Sequence, residues 1–207
     1  MIKKVWKIYV NAMQSVCKNE DNTTNKVELA FIYVAIFSIS VFLVYYKTEK
    51  FIEDAKVLAM LLSLFSGLMY SVLLKIPDKL SKLETVKEKE DESIRDLKKR
   101  NEINTLNNRT FNYLKNFSFT LSYAIIVAIF CIFFVILSSF FASFLNFHLS
   151  TVKLDFENIN TLLTLKVGVI VIYRFFFIFL MLQFLYFITK SVIYLTDFTL
   201  YEFNNLK

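Results

Sequence analysis

Two polar side chains interrupt an apolar stretch near the C-terminal end of the chain. Residues 171–184 read VIYRFFFIFLMLQF and place Arg174 and Gln183 among large apolar side chains. If this stretch spans a membrane, a charge there costs an isolated helix about 3 kcal/mol on the insertion scale. Arg174 must therefore pair with another group, face a water-filled path or snorkel toward the membrane surface.

Arg174 follows Lys166 by eight residues, which is about 12 Å along a helix that starts at that lysine. Snorkelling is one interpretation, with the rings of Tyr173 and Phe177 against the guanidinium. The other places Arg174 in a bundle interior or a water-filled path. The apolar stretches hold no acidic residue, which leaves backbone carbonyls, lipid phosphate and two hydroxyls, those of Ser38 and Ser40, as partners.

Gln183 lies nine residues after Arg174, about 180° around a straight helix. One continuous polar stripe is therefore not expected. We expect Gln183 to hydrogen-bond a neighbouring helix, a contribution of about 1 kcal/mol. If the two residues face different neighbours, protein surrounds this helix, which favours an oligomer.

A stripe of small residues recurs every four positions in the second apolar stretch: Ala59, Ser63, Gly67 and Ser71. Small side chains at this spacing let two helix backbones approach closely. The stripe predicts helix packing, either within the chain or between subunits. A pore lined by Ser63, Ser66 and Ser71 is a further alternative.

Residues for other chemistry are sparse. His148 is the only histidine, so no metal cluster or catalytic dyad can be assembled around it. The chain has no glycine-rich phosphate loop and no nucleophile motif. We expect no enzymatic activity, no metal and no cofactor, and we interpret Cys17 and Cys131 as packing residues.

The elements that carry these residues are predicted by composition. The 207 residues are 56% hydrophobic and include 24 Phe, but only two Gly and one Pro. Long apolar stretches of this kind predict an all-α membrane protein. Four stretches are long enough to cross about 30 Å of hydrocarbon: residues 29–46, 57–74, 119–141 and 167–188.

Lysine and arginine predict the orientation. Eleven lie from Lys75 to Lys115, and five more lie before the first span. Since positive charge accumulates on the cytoplasmic side, we expect both termini and the central segment to be cytoplasmic. The predicted organisation is residues 1–27, an amphipathic helix and linker; 28–77, a transmembrane hairpin; 78–116, a charged segment; 117–190, a second transmembrane hairpin; and 191–207, a tail.

The N-terminal residues have helical amphipathic spacing. Trp6, Lys3 and Lys7 suit a helix at the membrane interface, with lysines toward acidic lipid. The alternative is a docking helix for a partner or a neighbouring subunit. The C-terminal tail is apolar enough to lie on the membrane, on the charged segment or against another protein.

The charged segment is too short to build an independent core. It predicts a cytoplasmic hairpin of two helices that each continue a membrane span and meet near residues 98–108, with Pro77 bending the exit from the second span. Its basic side chains are the candidates for binding a soluble partner: Lys87, Arg95, Lys98, Lys99 and Arg100.

The four spans and the charged connection at 78–116 resemble the small membrane subunits of bacterial anti-phage systems, especially the Kiwa membrane protein and more loosely the membrane effectors paired with retrons. The resemblance implies a homo-oligomer that senses envelope disturbance and holds a cytoplasmic, DNA-binding partner encoded nearby. No direct contact of this chain with nucleic acid is expected. Two alternatives stay open, a pore-forming or depolarising effector and a small transporter or exporter subunit.

Overall fold

The computed structural model describes residues 2–17, 26–46, 51–78, 97–141, 145 and 161–205, and within them the chain is helical, without strands. The five helices are α1 (Ile2–Cys17), α2 (Lys26–Tyr46), α3 (Phe51–Leu74), α4 (Leu97–Phe140) and α5 (Thr161–Asn205). The helices α2 to α5 are long and apolar enough to cross a membrane. The all-α class with four membrane spans is thus confirmed, and the chain is a multi-pass membrane protein.

The ends of α3 follow local chemistry. Glu53 and Asp54 lie in its first turn, where negative charge stabilises the helix dipole. At the other end the Lys75 amide donates to the Val72 carbonyl at 3.1 Å, and the chain turns at Lys75 before a last helical segment, residues 76–78. Pro77 has no amide hydrogen to continue the helix, which explains a break close to the predicted bend.

Two helices are much longer than a membrane requires. The 44 residues of α4 and the 45 of α5 correspond to about 66 Å each, twice the hydrocarbon thickness. Residues 98–108, where two cytoplasmic helices are predicted to meet, all lie within α4. The other helix of that predicted hairpin falls on residues 79–96, outside the described residues, so the hairpin stays a prediction. The tail likewise continues α5 to Asn205 and does not form a separate element. Neither helix contains proline, and Gly168 is their only glycine, so no residue forces a stop.

Buried side chains on α4 and α5 recur at alternating steps of three and four residues, the spacing of coiled coils. On α4 the residues at these steps are Thr110, Leu114, Phe117, Leu121, Ala124, Ala128, Cys131, Val135 and Ser138, and Thr120 and Val127 are buried beside them. On α5 they include Ile170, Arg174, Phe177, Phe184, Phe187, Ser191, Tyr194 and Phe198. Each helix therefore presents one continuous seam to protein neighbours.

The chain divides into two compact units. The first, here the terminal unit, comprises Met1–Asn25, Gly67–Ala124 and Tyr186–Lys207. The second, here the span unit, comprises Lys26–Ser66 and Ile125–Leu185. The terminal unit thus holds α1, the end of α3, residues 97–124 of α4 and residues 186–205 of α5. We call these parts of α4 and α5 their extensions. The span unit holds α2 and the remaining, mostly apolar residues of α3, α4 and α5.

Aromatic side chains connect the helices of the span unit. Phe37 meets Phe175 at 5.2 Å between ring centres, and Phe51 meets Phe177 at 5.7 Å. The Tyr173 hydroxyl donates to the Phe134 carbonyl at 2.7 Å. These contacts pack α5 against α2, α3 and α4, so α5 is the central helix of this unit.

Candidate functional site

Arg174 is the most buried charged residue in the described part of the chain. It occupies a seam position of α5 and is only 2% exposed. One guanidinium nitrogen, Nη2, donates to the Leu145 carbonyl at 3.3 Å. The guanidinium carbon lies 5.2 Å from the centre of the Phe51 ring, within the range of a cation–π contact.

The neighbours of Arg174 define its level along the bundle. Phe51 is the first residue of α3, and Leu145 follows the end of α4. The guanidinium therefore lies where α3 begins and just beyond where α4 ends. Of the partners considered from sequence, a backbone carbonyl is present. The ring under the guanidinium belongs to Phe51, whereas Tyr173 and Phe177 were expected.

Gln183 donates from Nε2 to the Tyr33 hydroxyl on α2 at 3.0 Å. The prediction that it hydrogen-bonds a neighbouring helix is confirmed. Arg174 and Gln183 do face different helices, but those helices belong to the same chain. The argument from these two residues to an oligomer therefore fails.

The stripe of small residues on α3 lies mainly on the outside of the chain. Ala59 is buried, whereas Ser63, Gly67 and Ser71 are exposed. A Cβ atom placed on Gly67 would meet nothing within 4 Å. The Ser71 hydroxyl donates to the Leu68 carbonyl of its own helix at 2.7 Å. Only Ala59 packs within the chain.

A different set of small residues packs inside, and of these only Cys131 was predicted to be a packing residue. Ala124, Ala128, Cys131 and Ser138 lie on the α4 seam, each at most 1% exposed. Their spacing of three, four and seven residues is readable in the sequence, but it is masked by the large apolar residues between them. Small side chains at a seam allow close helix approach in a membrane.

Hydroxyl groups join three helices in the terminal unit. Ser191 Oγ on α5 lies 3.1 Å from Thr120 Oγ1 on α4. The Tyr194 hydroxyl donates to the Ser15 carbonyl of α1 at 2.6 Å. All four residues are buried. This cluster was not predicted, because single hydroxyls carry no spacing signal.

The N-terminal helix α1 is packed through one face only. Ala12 and Ser15 are buried, and the Tyr9 ring lies 5.3 Å from the ring of Tyr123 on α4. Lys3, Trp6 and Lys7, the predicted interface residues, point outward. The helix therefore docks on its own chain and keeps a basic outer face.

The candidate partner-binding residues fall largely beyond this description. Lys87 and Arg95 lie outside the described residues. Lys98, Lys99 and Arg100 are in the first turn of α4, and their side chains are not described. Their role stays a prediction.

No known protein family, no curated protein and no solved structure matches this chain. The candidate sites are therefore the buried arginine, the hydroxyl cluster and the outer face of α1.

Proposed function

We propose that this protein is an oligomeric inner-membrane subunit of a bacterial anti-phage defence system, which senses membrane disturbance and recruits or regulates a soluble partner. Both termini are cytoplasmic in this proposal, following the lysine and arginine distribution. The four-span architecture and its resemblance to such subunits motivate it.

One observation carries the proposal. In the hydroxyl cluster, the bond of Ser191 with Thr120 joins the extensions of α4 and α5, and the bond of Tyr194 with the Ser15 carbonyl joins α1 to α5. These extensions continue apolar spans without a break. A packed helical unit directly continuous with membrane helices is suited to passing a tilt or rotation of those helices to a bound protein.

The charged segment, residues 78–116, is the proposed partner site. Its residues Lys87, Arg95, Lys98, Lys99 and Arg100 would present positive charge to an acidic surface of the partner. The partner is a cytoplasmic protein whose gene we expect to be a neighbour of this one.

Self-association is assigned to the outer face of α3. Ser63, Gly67 and Ser71 are exposed there, and Gly67 leaves space for a close helix approach. Gly67→Ile is expected to weaken a chemically crosslinked oligomer, whereas Gly168→Ile on α5 tests the effect of the substitution elsewhere.

A pore or depolarising effector is the alternative from sequence. It relied on Arg174 and the α3 hydroxyls lining a path. Arg174 contacts Leu145 and Phe51 within the span unit, and Ser71 donates to its own helix. These contacts give the pore no specific support.

Membrane potential and partner location test the proposal together. Cells express the protein alone or with a fluorescent fusion of the neighbouring gene product, and a voltage-sensitive dye is read in parallel. We expect a steady potential and a fusion drawn to the membrane, and charge reversal at Lys98, Lys99 and Arg100 should release it. Depolarisation by the protein alone, abolished by Arg174→Leu, would instead establish the effector.

A further inference from the structure

The outer face of α1 is a basic surface with an exposed tryptophan. Its members share helix α1 and point away from the bundle: Lys3, Lys4, Trp6 and Lys7. We call this set the α1 surface. Trp6 is 64% exposed, although tryptophan is usually well covered in a soluble protein. Something outside the chain is therefore expected to cover it.

The contacts of α1 with α4 and α5 show at which level of these helices α1 lies. The Tyr9 ring contacts that of Tyr123, whose ring lies 4.6 Å from that of Phe187. Further along α1, Ser15 accepts the hydrogen bond from Tyr194. Phe187 and Tyr194 lie three residues before and four residues after Lys190. The stretch of α1 from Tyr9 to Ser15 therefore lies at the level of Lys190, and the α1 surface directly precedes that stretch in the chain.

Lys190 marks the end of the apolar part of α5. No charged residue occurs between Arg174 and Lys190. A lysine directly after such a stretch is typical of the position where a span reaches the headgroups. The docked α1 helix is thus held at the membrane surface, where an exposed tryptophan is stable beside lipid.

The charge of α1 selects the lipid. Residues 2–17 contain three lysines and no acidic residue, and all three lysines belong to the α1 surface. Lysines at a membrane surface attract anionic headgroups, each strengthening association about fivefold. Tryptophan prefers the headgroup region itself. Both residue types therefore match a single occupant, an anionic membrane surface.

We propose that the α1 surface binds the headgroups of anionic phospholipids, and that the contacts of Tyr9 with Tyr123 and of Tyr123 with Phe187 pass this binding to α4 and α5. This lipid-binding inference rests on the proposed function, in which the protein senses membrane disturbance. It specifies which part of the chain detects the membrane and which lipid chemistry it detects.

Trp6 is the only tryptophan in the chain, so its fluorescence reports on this surface alone. The full chain is placed in nanodiscs of phosphatidylcholine with increasing phosphatidylglycerol. We expect the emission to shift to the blue and quenching by the uncharged quencher acrylamide to decrease as the anionic fraction rises. Lys3→Gln/Lys4→Gln/Lys7→Gln should lose this response at every fraction. Lys56→Gln/Lys75→Gln/Lys115→Gln removes the same charge from exposed positions on α3, at the turn after α3 and on α4, and should keep it.

Equal emission and quenching in neutral and anionic discs would overturn the proposal, and so would a full response in the α1 variant. Circular dichroism verifies that both variants keep the helical content of the parent. A Trp6 signal that responds to the soluble partner but not to phosphatidylglycerol would reassign the surface to that protein. Failure to recruit any partner, with the lipid response intact, would reject the proposed function and leave the lipid site supported.

Discussion

The guanidinium of Arg174 lies over the ring of Phe51, with 5.2 Å between the guanidinium carbon and the ring centre. Since Phe51 begins α3 and Leu145 follows the end of α4, one side chain of α5 contacts the ends of two other helices. The arginine that suggested a conduction path is thereby given a structural role in the span unit.

The pairing of Arg174 with Phe51 is measurable as a coupling energy. We expect Phe51→Leu and Arg174→Met to show a coupling of about 1 kcal/mol in a double-mutant cycle, because each removes the same cation–π contact. Unfolding in mixed micelles by added SDS provides the free energies. Additive effects of the two substitutions would show that the contact contributes no stability.

The hydrogen bond from Gln183 to Tyr33 links α5 to α2 inside the apolar region. Tyr33→Phe should lower the free energy of unfolding by about 0.6 kcal/mol, the typical strength of such bonds in a membrane protein. Tyr45→Phe is the matched control, since Tyr45 is on the same helix and 86% exposed. Equal losses in both variants would argue against a stabilising role for this bond.

Ser191 has no room for a larger side chain. It is 2% exposed and lies against Thr120, so Ser191→Leu should destabilise the protein by about 1–3 kcal/mol through overpacking. Thr196 is exposed on the same helix, and Thr196→Leu should be tolerated. Thermal denaturation in detergent compares the two. A stable Ser191→Leu variant would mean that α4 and α5 are less closely packed there.

The Tyr194 hydroxyl holds α1 on the bundle through a buried bond. Tyr194→Phe removes one hydrogen bond of about 1 kcal/mol without changing the ring. Hydrogen exchange followed by mass spectrometry should therefore show faster exchange in α1, and unchanged exchange in α2. Unaltered α1 protection would show that the aromatic contact of Tyr9 with Tyr123 is sufficient to dock this helix.

The helical class and the four spans were predictable, because length and apolarity alone determine which segments cross a membrane. The kind of partner that Gln183 has, a group on a neighbouring helix, was predictable too. The docking of α1 was not. Its buried face uses Ala12 and Ser15, whose small side chains give little amphipathic signal. The Ser15 carbonyl accepts its hydrogen bond from Tyr194, which lies 179 residues away in the chain.

The inward and outward faces of the spans were also hard to separate. In a membrane, lipid and protein neighbours are both apolar, so hydrophobic periodicity does not distinguish them. The α3 stripe was therefore as plausible a seam as the α4 residues Ala124 and Ala128, but both α4 residues are buried, whereas of the α3 stripe only Ala59 is. The partner of Arg174 was similarly hidden, because a backbone carbonyl such as that of Leu145 leaves no mark in a sequence.

The unbroken helices α4 and α5 restrict how this chain can change in evolution. One inserted residue within a helix rotates everything beyond it by about 100°. Within 97–140 or 161–205 that rotation would carry Thr120 and Ser191 out of register, or turn Tyr194 away from α1. Insertions and deletions in descendants of this chain are therefore expected to accumulate between the helices, while α4 and α5 keep their lengths.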